Sequence, residues 1–212
     1  YMKGRTVRTD QLALWRGSVH GHALLVKGDL SAPACNDCHG NHGARPPRTR
    51  DISLVCGNCH GREGELFAQS KVKATLEFEG KRGCVTCHSN HAVKAPTDAM
   101  IGFGGEGVCG RCHVGDSPGA RASAIIVSGF HGFKARIARV DSLLNVADRL
   151  GMETESGRET LKQANDHLVG LRATLHSFSL EPIQAALAEG SGLADRAETE
   201  ARDSLRDWRN RR

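Results

Sequence analysis

The stretch Cys35-Asn36-Asp37-Cys38-His39 decides how this chain folds, because the same pattern of Cys, two residues, Cys and His occurs three more times. The other copies are Cys56-Gly-Asn-Cys59-His60, Cys84-Val-Thr-Cys87-His88 and Cys109-Gly-Arg-Cys112-His113. Cys-x-x-Cys-His is the attachment sequence for c-type haem. Two thiols three positions apart on one turn reach the two vinyl groups of a porphyrin, and the adjacent imidazole binds the iron from one side.

The cysteines allow two other interpretations. Zinc ribbons also use Cys-x-x-Cys pairs, but they need two pairs and no adjoining His. Eight cysteines could instead form four disulfides, although this spacing favours redox-active or metal-binding roles. With eleven His among 212 residues, a His after all four pairs arises by chance with a probability on the order of 10⁻⁵. We therefore predict four covalent haem c groups, held by Cys35, Cys38, Cys56, Cys59, Cys84, Cys87, Cys109 and Cys112.

The composition agrees with large bound cofactors. Hydrophobic residues make up 39% of the chain and aromatic residues 4%, which is little material for a core of this size. Four macrocycles would replace the missing aromatic side chains. The net charge of +5 is spread along the chain without the basic, aromatic face that nucleic acids require. No apolar run approaches the roughly 20 residues of a membrane span.

The start of the chain also allows a prediction. It begins at Tyr1 rather than Met and has no signal peptide, so we expect a processed or truncated product. Whether further haems or a membrane anchor lie upstream is left open.

The four motifs alternate, which indicates an internal duplication. The first and third continue as Cys-His-x-x-His and end at His42 and His91, whereas the second and fourth do not. The predicted haem region is therefore two copies of a two-haem module, near 16–64 and 67–117. A matching stretch precedes the motifs of each copy, Trp15-Arg-Gly-Ser-Val-His20-Gly-His22 in the first and Phe67-Ala-Gln-Ser70-Lys-Val72 in the second.

Four six-coordinate irons need eight axial ligands. The motifs supply the proximal four, His39, His60, His88 and His113. A His three residues past a proximal His is aimed away from its own haem, so we predict that His42 and His91 bind neighbouring irons. We prefer His20 as the third distal ligand, with His22 as its substitute or as a hydrogen-bonding neighbour.

The second copy lacks one ligand, because Val72 stands where the first copy has His20 and no His occurs between His60 and His88. The fourth distal ligand must therefore come from elsewhere in the chain, or one iron is five-coordinate.

From about residue 119 the apolar residues recur with helical periodicity. Three runs repeat at 3–4 spacing, from Phe130 to Ala147, from Leu161 to Phe178 and from Ile183 to Trp208. We expect Thr154 or Ser156 to cap the second helix, Pro182 to lie in the first turn of the third, and Gly190 and Gly192 to weaken or kink it. The predicted fold is mostly α, with little regular structure in a multihaem cytochrome domain (1–118) and an antiparallel helical hairpin or three-helix bundle (119–212).

The helical region offers the missing ligand. His131 and His176 each follow a seam residue, so their side chains face away from the bundle interior. We favour His176 over His131 as the fourth distal ligand, with His167 and Met100 as less favoured candidates.

The segment 10–118 resembles the tetrahaem members of the broad cytochrome c3-like group of multihaem c-type cytochromes. The shared stretches are Ser-Val-His20-Gly, Ala-Pro33-Ala-Cys-Asn-Asp-Cys-His-Gly-Asn-His42, Val-Cys-Gly-Asn-Cys-His60 and Cys-Val-Thr-Cys-His-Ser-Asn-His91. In that group the His of Ser-x-His-Gly and the second His of Cys-His-x-x-His are commonly distal ligands. The segment around Arg172-Ala-Thr-Leu-His176 is similar to a helical extension found after such domains, which also favours His176.

We therefore expect an electron carrier, not an enzyme, because two imidazoles on each iron leave no position for a substrate. Two alternatives remain at this point: a reductase of nitrite or hydroxylamine type with one five-coordinate haem, or a subunit of an extracellular haem filament. The expected partners are redox proteins, as separate molecules or within a larger complex, docked through the C-terminal helices. Because c-type haem is attached after export, we expect a periplasmic or other extracytoplasmic location.

Overall fold

The computed structural model describes residues 8–41 and 52–211. Within these ranges the chain forms ten α-helices and three short 3₁₀ turns, with no residue in a β-strand. It divides into two compact units, Tyr1–Thr97 and Asp98–Arg212. None of the described helices is both long and apolar enough to cross a membrane. The predicted fold class, mostly α with a helical bundle at the carboxyl end, is confirmed, and the haem region contains more regular structure than expected, in seven short helices.

The first unit is built from short helices of five to eight residues. They are α1 (Gln11–Arg16), α2 (Val19–Leu25), α3 (Cys35–His39), α4 (Ile52–Gly57), α5 (Gly61–Ala68), α6 (Lys71–Phe78) and α7 (Gly83–His88). Among the described residues of this unit, the buried apolar side chains are Phe67 and Leu76. So small a core gives little hydrophobic stabilisation to the unit.

The duplication seen in the sequence is also present in the local structure. Ser18 caps α2: its hydroxyl accepts a hydrogen bond from the backbone N–H of Gly21 (3.1 Å) and donates to the carbonyl of Trp15 (2.6 Å). Ser70 caps α6 in the same way, with Lys73 N–H at 3.1 Å and the Phe67 carbonyl at 2.8 Å. Val72 therefore occupies the position in α6 that His20 occupies in α2.

The second unit contains three long helices, α8 (Pro118–Arg149), α9 (Glu155–Thr174) and α10 (Leu180–Asn210). They run up, down and up: a Cβ at Gly157, near the start of α9, would lie 2.7 Å from Leu144, near the end of α8. The buried core of the bundle consists of Phe130, Phe133, Val140, Leu144, Ala147, Leu161, Ala164, Leu168, Leu171, Ile183, Leu187, Ala194, Ala197 and Ala201. Most of these are the residues whose 3–4 spacing predicted the three helices.

The ends of the long helices differ in detail from the sequence pattern. Gly151 follows α8 with a φ of 71°, the left-handed conformation expected of a glycine at this position. Thr154 occupies the N-cap of α9, but its hydroxyl donates to Asp148 instead of capping the helix. The α-helix then ends at Thr174, and Leu175–Ser177 form a 3₁₀ turn, so the apolar periodicity overestimates its length by four residues.

The third helix passes through Gly190 and Gly192 without interruption. A Cβ at Gly190 would lie 2.6 Å from Phe133 and 2.7 Å from His167. Gly190 is therefore needed for close packing in the middle of the bundle. A sequence pattern shows the cost of a helical glycine but not the neighbours that require it.

A loop carrying the fourth motif belongs to the second unit and is fastened to its helices. Asp98 forms ion pairs with Lys134 of α8 and, at 3.3 Å, with Arg172 of α9. Ile101 packs against the bundle core, and its carbonyl accepts a hydrogen bond from the Ser123 hydroxyl (3.3 Å). The sequence predicts a domain boundary at residue 118, with haem attachment before it and docking after it. That assignment of functions stays a prediction.

Candidate haem-binding site

The eight cysteines of the four Cys-x-x-Cys-His segments all lie within the described residues. None of the eight forms a disulfide, and each is exposed or half-buried. In the first motif, Cys35 and Cys38 lie one turn apart in α3, so both thiols are on the same side of that helix. The side chain of Asp37 begins this helix by accepting a hydrogen bond from Ala34 N–H (2.7 Å), and Gly40 ends it with a φ of 76°.

The structure brings His39 of the first motif next to His91, which follows the third motif. Their ring centroids are 5.8 Å apart and the ring planes differ by 17°. The pKa of His91 is lowered from its ordinary value, first by burial and then by the neighbouring His39. A lowered pKa keeps an imidazole neutral, which is the form that binds metals.

A second pair joins His60 of the second motif to His20 of α2. The ring centroids are 6.3 Å apart, with the planes tilted by 41°. Burial, and then the charge of His60, lower the pKa of His20. His22 lies two residues further along α2 and is exposed, so the structure pairs His20, and not His22, with the imidazole of His60.

The spacing of both pairs fits a haem iron between the rings. Imidazole nitrogens bind metal ions at about 2 Å. Two imidazoles on opposite sides of one iron therefore place their ring centroids roughly 6 Å apart. The distances of 5.8 Å and 6.3 Å agree with this value, and thiols and imidazoles are the donors that c-type haem requires.

Close backbone packing positions His20. A Cβ at Gly21 would overlap the carbonyl oxygen of Trp15, so this residue of α2 must be glycine for α1 and α2 to meet. The next contact is between the two repeats: Val19 N–H donates to the carbonyl of Val93 (2.9 Å). Because Val93 follows His91 by two residues, this bond ties the two histidine pairs together.

Thiols of different motifs also lie close to each other. The pKa of Cys56 is raised, first by a hydrogen bond with Cys84 of the third motif and then by burial. Burial raises the pKa of Cys38, and the charge of Cys59 contributes in the same direction. The packing of α4 on α7 explains the first contact, because a Cβ at Gly83 would overlap the Ser53 hydroxyl.

The fourth motif has a different setting, on a 3₁₀ turn (Cys109–Arg111) in the loop of the second unit. Val108 N–H donates to the Met100 carbonyl (3.0 Å), which closes this loop. The imidazole of His113 lies against the first turn of α8, where a Cβ at Gly119 would overlap its ring.

Three histidines of the second unit were candidates for the fourth distal ligand. His176 lies on the 3₁₀ turn after α9, and its Nδ1 is 3.1 Å from the carbonyl of Ala173. His167 has its Nε2 2.7 Å from the Ala186 carbonyl and packs on Gly190 inside the bundle. His131 is exposed on α8.

The remaining predicted residues are placed as follows. His42 lies outside the described residues. His88 ends α7 and is half-buried, and Met100 is half-buried in the loop before the fourth motif. Sequence reasoning missed Gly119, Gly21 and Asp98. Gly21 had a signal, since it belongs to the quoted Ser-Val-His-Gly stretch, whereas Gly119 and Asp98 depend on partners distant in sequence.

Comparison with known proteins gives one family. Residues 29–114 match the family model described as cytochrome c3. All four Cys-x-x-Cys-His motifs lie within this match. No curated protein and no solved structure matches the chain.

Proposed function

Since residues 29–114 belong to the cytochrome c3 family of multihaem c-type cytochromes, which transfer electrons, we propose that this chain is a tetrahaem electron carrier with mainly bis-His irons. Each haem, when bound, supplies an iron that alternates between the ferric and ferrous states. The observation that carries the proposal is the pairing of motif histidines with distant histidines at the spacing an iron requires.

Four haems would be held by the four cysteine pairs. Each thiol adds across one vinyl group, so that a carbon–sulfur bond forms and the thiol proton passes to the other vinyl carbon. The exposed or half-buried position of all eight cysteines, none of which forms a disulfide, supports this number.

The axial ligands follow from the two pairs and the repeat. His39 and His91 would hold the first iron, and His60 and His20 the second. By the symmetry of the repeat, His88 would share the third iron with His42. The Cys-His-x-x-His stretches then exchange ligands, because each stretch gives its first His to its own haem and its second to the other.

The first three haems would lie close together. The hydrogen bond between Cys56 and Cys84 joins the second and third motifs, and the influence of Cys59 on Cys38 joins the first and second. Short separations between irons suit electron exchange, and imidazoles on both sides of each iron exclude substrates.

His176 is the best-placed distal ligand for the fourth iron. Ligating histidines usually donate their second ring N–H to a carbonyl, and His176 has Nδ1 at 3.1 Å from Ala173. In the antiparallel pairing of α8 and α9, Gly157 lies beside Leu144. The same register puts His176 at the level of Ile125. Along the axis of α8, Ile125 is about 9 Å from Gly119. His131 is about 18 Å from Gly119 along the same helix.

The absence of His at position 72 favours a second candidate, a reductase that uses the fourth haem. If the repeat supplies no ligand and His176 does not bind, the iron bound to His113 is five-coordinate and open to a small oxyanion. The third interpretation, a filament subunit, needs an edge haem that contacts a second copy of the chain.

We further propose redox proteins as partners, with the three-helix bundle as the docking or assembly element. A periplasmic or other extracytoplasmic location follows from c-type haem attachment.

Two measurements test the proposal. The mass of the purified protein should exceed that of the polypeptide by four haems, and the ferric electron paramagnetic resonance spectrum should contain low-spin signals alone. A mass equal to the bare polypeptide would refute the electron carrier. A high-spin signal of about one haem per chain would favour the reductase.

A matched pair of variants tests the fourth ligand. His176→Ala should convert one haem to high spin, whereas His131→Ala should leave the spectrum as in the parent protein. The reverse result would assign the ligand to His131.

A further inference from the structure

The proximal imidazole of the fourth motif rests on a helix, and the contact depends on one glycine. A Cβ at Gly119 would overlap three atoms of the His113 ring, Cγ, Nδ1 and Cε1. Gly119 is in the first turn of α8 and has an ordinary helical backbone. The requirement for glycine here is therefore space for the imidazole and not backbone conformation.

Independent contacts fix the same loop on the bundle. Asp98 joins it to α8 and α9 through Lys134 and Arg172, and the Asp98 side chain is only 19% exposed. The hydrogen bond from Ser123 to the Ile101 carbonyl adds a second attachment to α8. These bonds fix the loop that carries the motif to α8 and α9.

The first turn of α8 carries a partial positive charge. The backbone N–H groups at the start of a helix lack intrahelical acceptors, and the helix dipole adds to them the equivalent of about half an elementary charge. Ser117 accepts one of these N–H groups, from Ala120, at 3.3 Å. The neighbouring side chains of Asp116 and Arg121 form an ion pair (3.0 Å) and so largely offset each other.

We propose that Gly119 is a positioning residue for the fourth haem: it lets the His113 imidazole rest on the amino-terminal turn of α8, and the positive end of this helix makes the iron bound to His113 easier to reduce. The proposal rests on the proposed attachment of a haem at Cys109 and Cys112. A ferric haem carries one more positive charge than a ferrous haem, so a positive potential at the imidazole favours the ferrous state.

The first test moves the imidazole. In the holoprotein, Gly119→Ala should lower the potential of one haem, by at least about threefold in its reduction equilibrium, and should change the resonance signal of that haem alone. A tenfold change corresponds to about 59 mV for a one-electron couple. Gly132→Ala is the matched control, because a Cβ at Gly132, also in α8, meets no atom within 4 Å. If Gly119→Ala left all four potentials and signals unchanged, the proposal would be wrong.

A second pair of variants tests the field of the helix without crowding the ring. Asp and Asn both cap helices well, so Ser117→Asp and Ser117→Asn should keep α8 intact while differing in charge. The aspartate should lower the same potential by about two- to fivefold in equilibrium, with the low-spin signal retained. Equal potentials for the two variants would overturn the electrostatic part of the proposal, even if Gly119→Ala fails to fold.

The haem concerned can be identified directly. Replacing Cys109 and Cys112 together by Ala should remove one haem from the mass and one couple from the titration. If the parent protein did not carry four haems, the proposed function would be refuted before any potential is measured. If Gly119→Ala shifted the potential of a haem that is still present after the double replacement, the proposed role of Gly119 would be contradicted.

Discussion

The two units of this protein differ in how much side-chain core they contain. Among the described residues, the first unit buries two apolar side chains and the second buries fourteen. The first has seven helices of eight residues or fewer, whereas the second has three of twenty to thirty-two. Since burial of apolar surface is the main favourable term in folding, the described part of the second unit can fold by side-chain packing far better than the described part of the first.

The difference identifies the role of the haem groups in the architecture. In the first unit, histidines from distant segments meet in pairs, and thiols of separate motifs lie side by side. Such an arrangement of ligands becomes stable when a bound group joins them. The fourth motif combines both situations, because its loop is fastened to a bundle that has a core of its own.

The largest expected effect comes from preventing haem attachment in the first unit. Replacing the six cysteines of the first three motifs by Ser should unfold the described ranges of the first unit, 8–41 and 52–97, and leave the bundle folded. Hydrogen exchange read by mass spectrometry should show loss of protection in these two ranges and retained protection in 118–210. The control replaces only Cys109 and Cys112, and should leave both ranges protected. Full protection of both units without haem would contradict the dependence of the first unit on haem.

A core substitution in the bundle should have the opposite distribution. Phe133 is 1% exposed and fills the space beside Gly190, so Phe133→Ala should lower the free energy of unfolding of the bundle by about 3–5 kcal/mol. The spectra of the first three haems should not change. Denaturant unfolding followed by circular dichroism measures the loss, and Val169→Ala, at a position that is 65% exposed, is the control. A loss below about 1 kcal/mol would contradict a packed core.

A smaller change separates ligand from neighbour within the first unit. His20→Ala should convert one haem from low to high spin, because it removes the imidazole opposite His60. His22→Ala should leave the ferric spectrum as it is, since His22 is exposed and outside both pairs. A high-spin signal from His22→Ala and none from His20→Ala would reverse the assignment.

The smallest effect is expected at Asp98. The hydrogen bond from Lys134 lowers the pKa of this carboxyl, and the charge of Arg172 acts in the same direction. A lowered folded pKa means that the ion pairs stabilise the second unit above about pH 4, the ordinary pKa of Asp, and that this contribution is lost as the pH falls through the folded value. Asp98→Asn should therefore cost about 0.5–1 kcal/mol at pH 7 and less than that at pH 3. Thermal unfolding at both pH values tests this, and an equal loss at both would exclude the ion pairs as its cause.

The long helices could be predicted from the sequence because their signal is local and repeated. Seam residues at 3–4 spacing identified most of the core. The pattern failed at Phe178, where the apolar spacing continues although the α-helix has ended at Thr174. It also gave no reason for Gly190, which is required by Phe133 and His167 from the two other helices.

At the candidate haem-binding site, the sequence indicates the motif residues but not the residues that lie beside them. The sequence singled out His20 and His91, but it could not pair His91 with His39 or His20 with His60. Pairing depends on the path of the chain between distant segments, such as the bond between Val19 and Val93. The structure likewise makes His22 exposed and puts the Nδ1 of His176 near the Ala173 carbonyl.

The sequence by itself determined the chemistry of this protein, because covalent attachment requires two thiols and an imidazole within five consecutive residues. It also determined the three-helix bundle, because helical periodicity is a pattern of residues that are close together in the chain. Only the tertiary structure decided which histidines meet, which thiols are neighbours and which helix supports His113. These contacts join residues far apart in the chain, and their geometry is set by packing that no local pattern encodes.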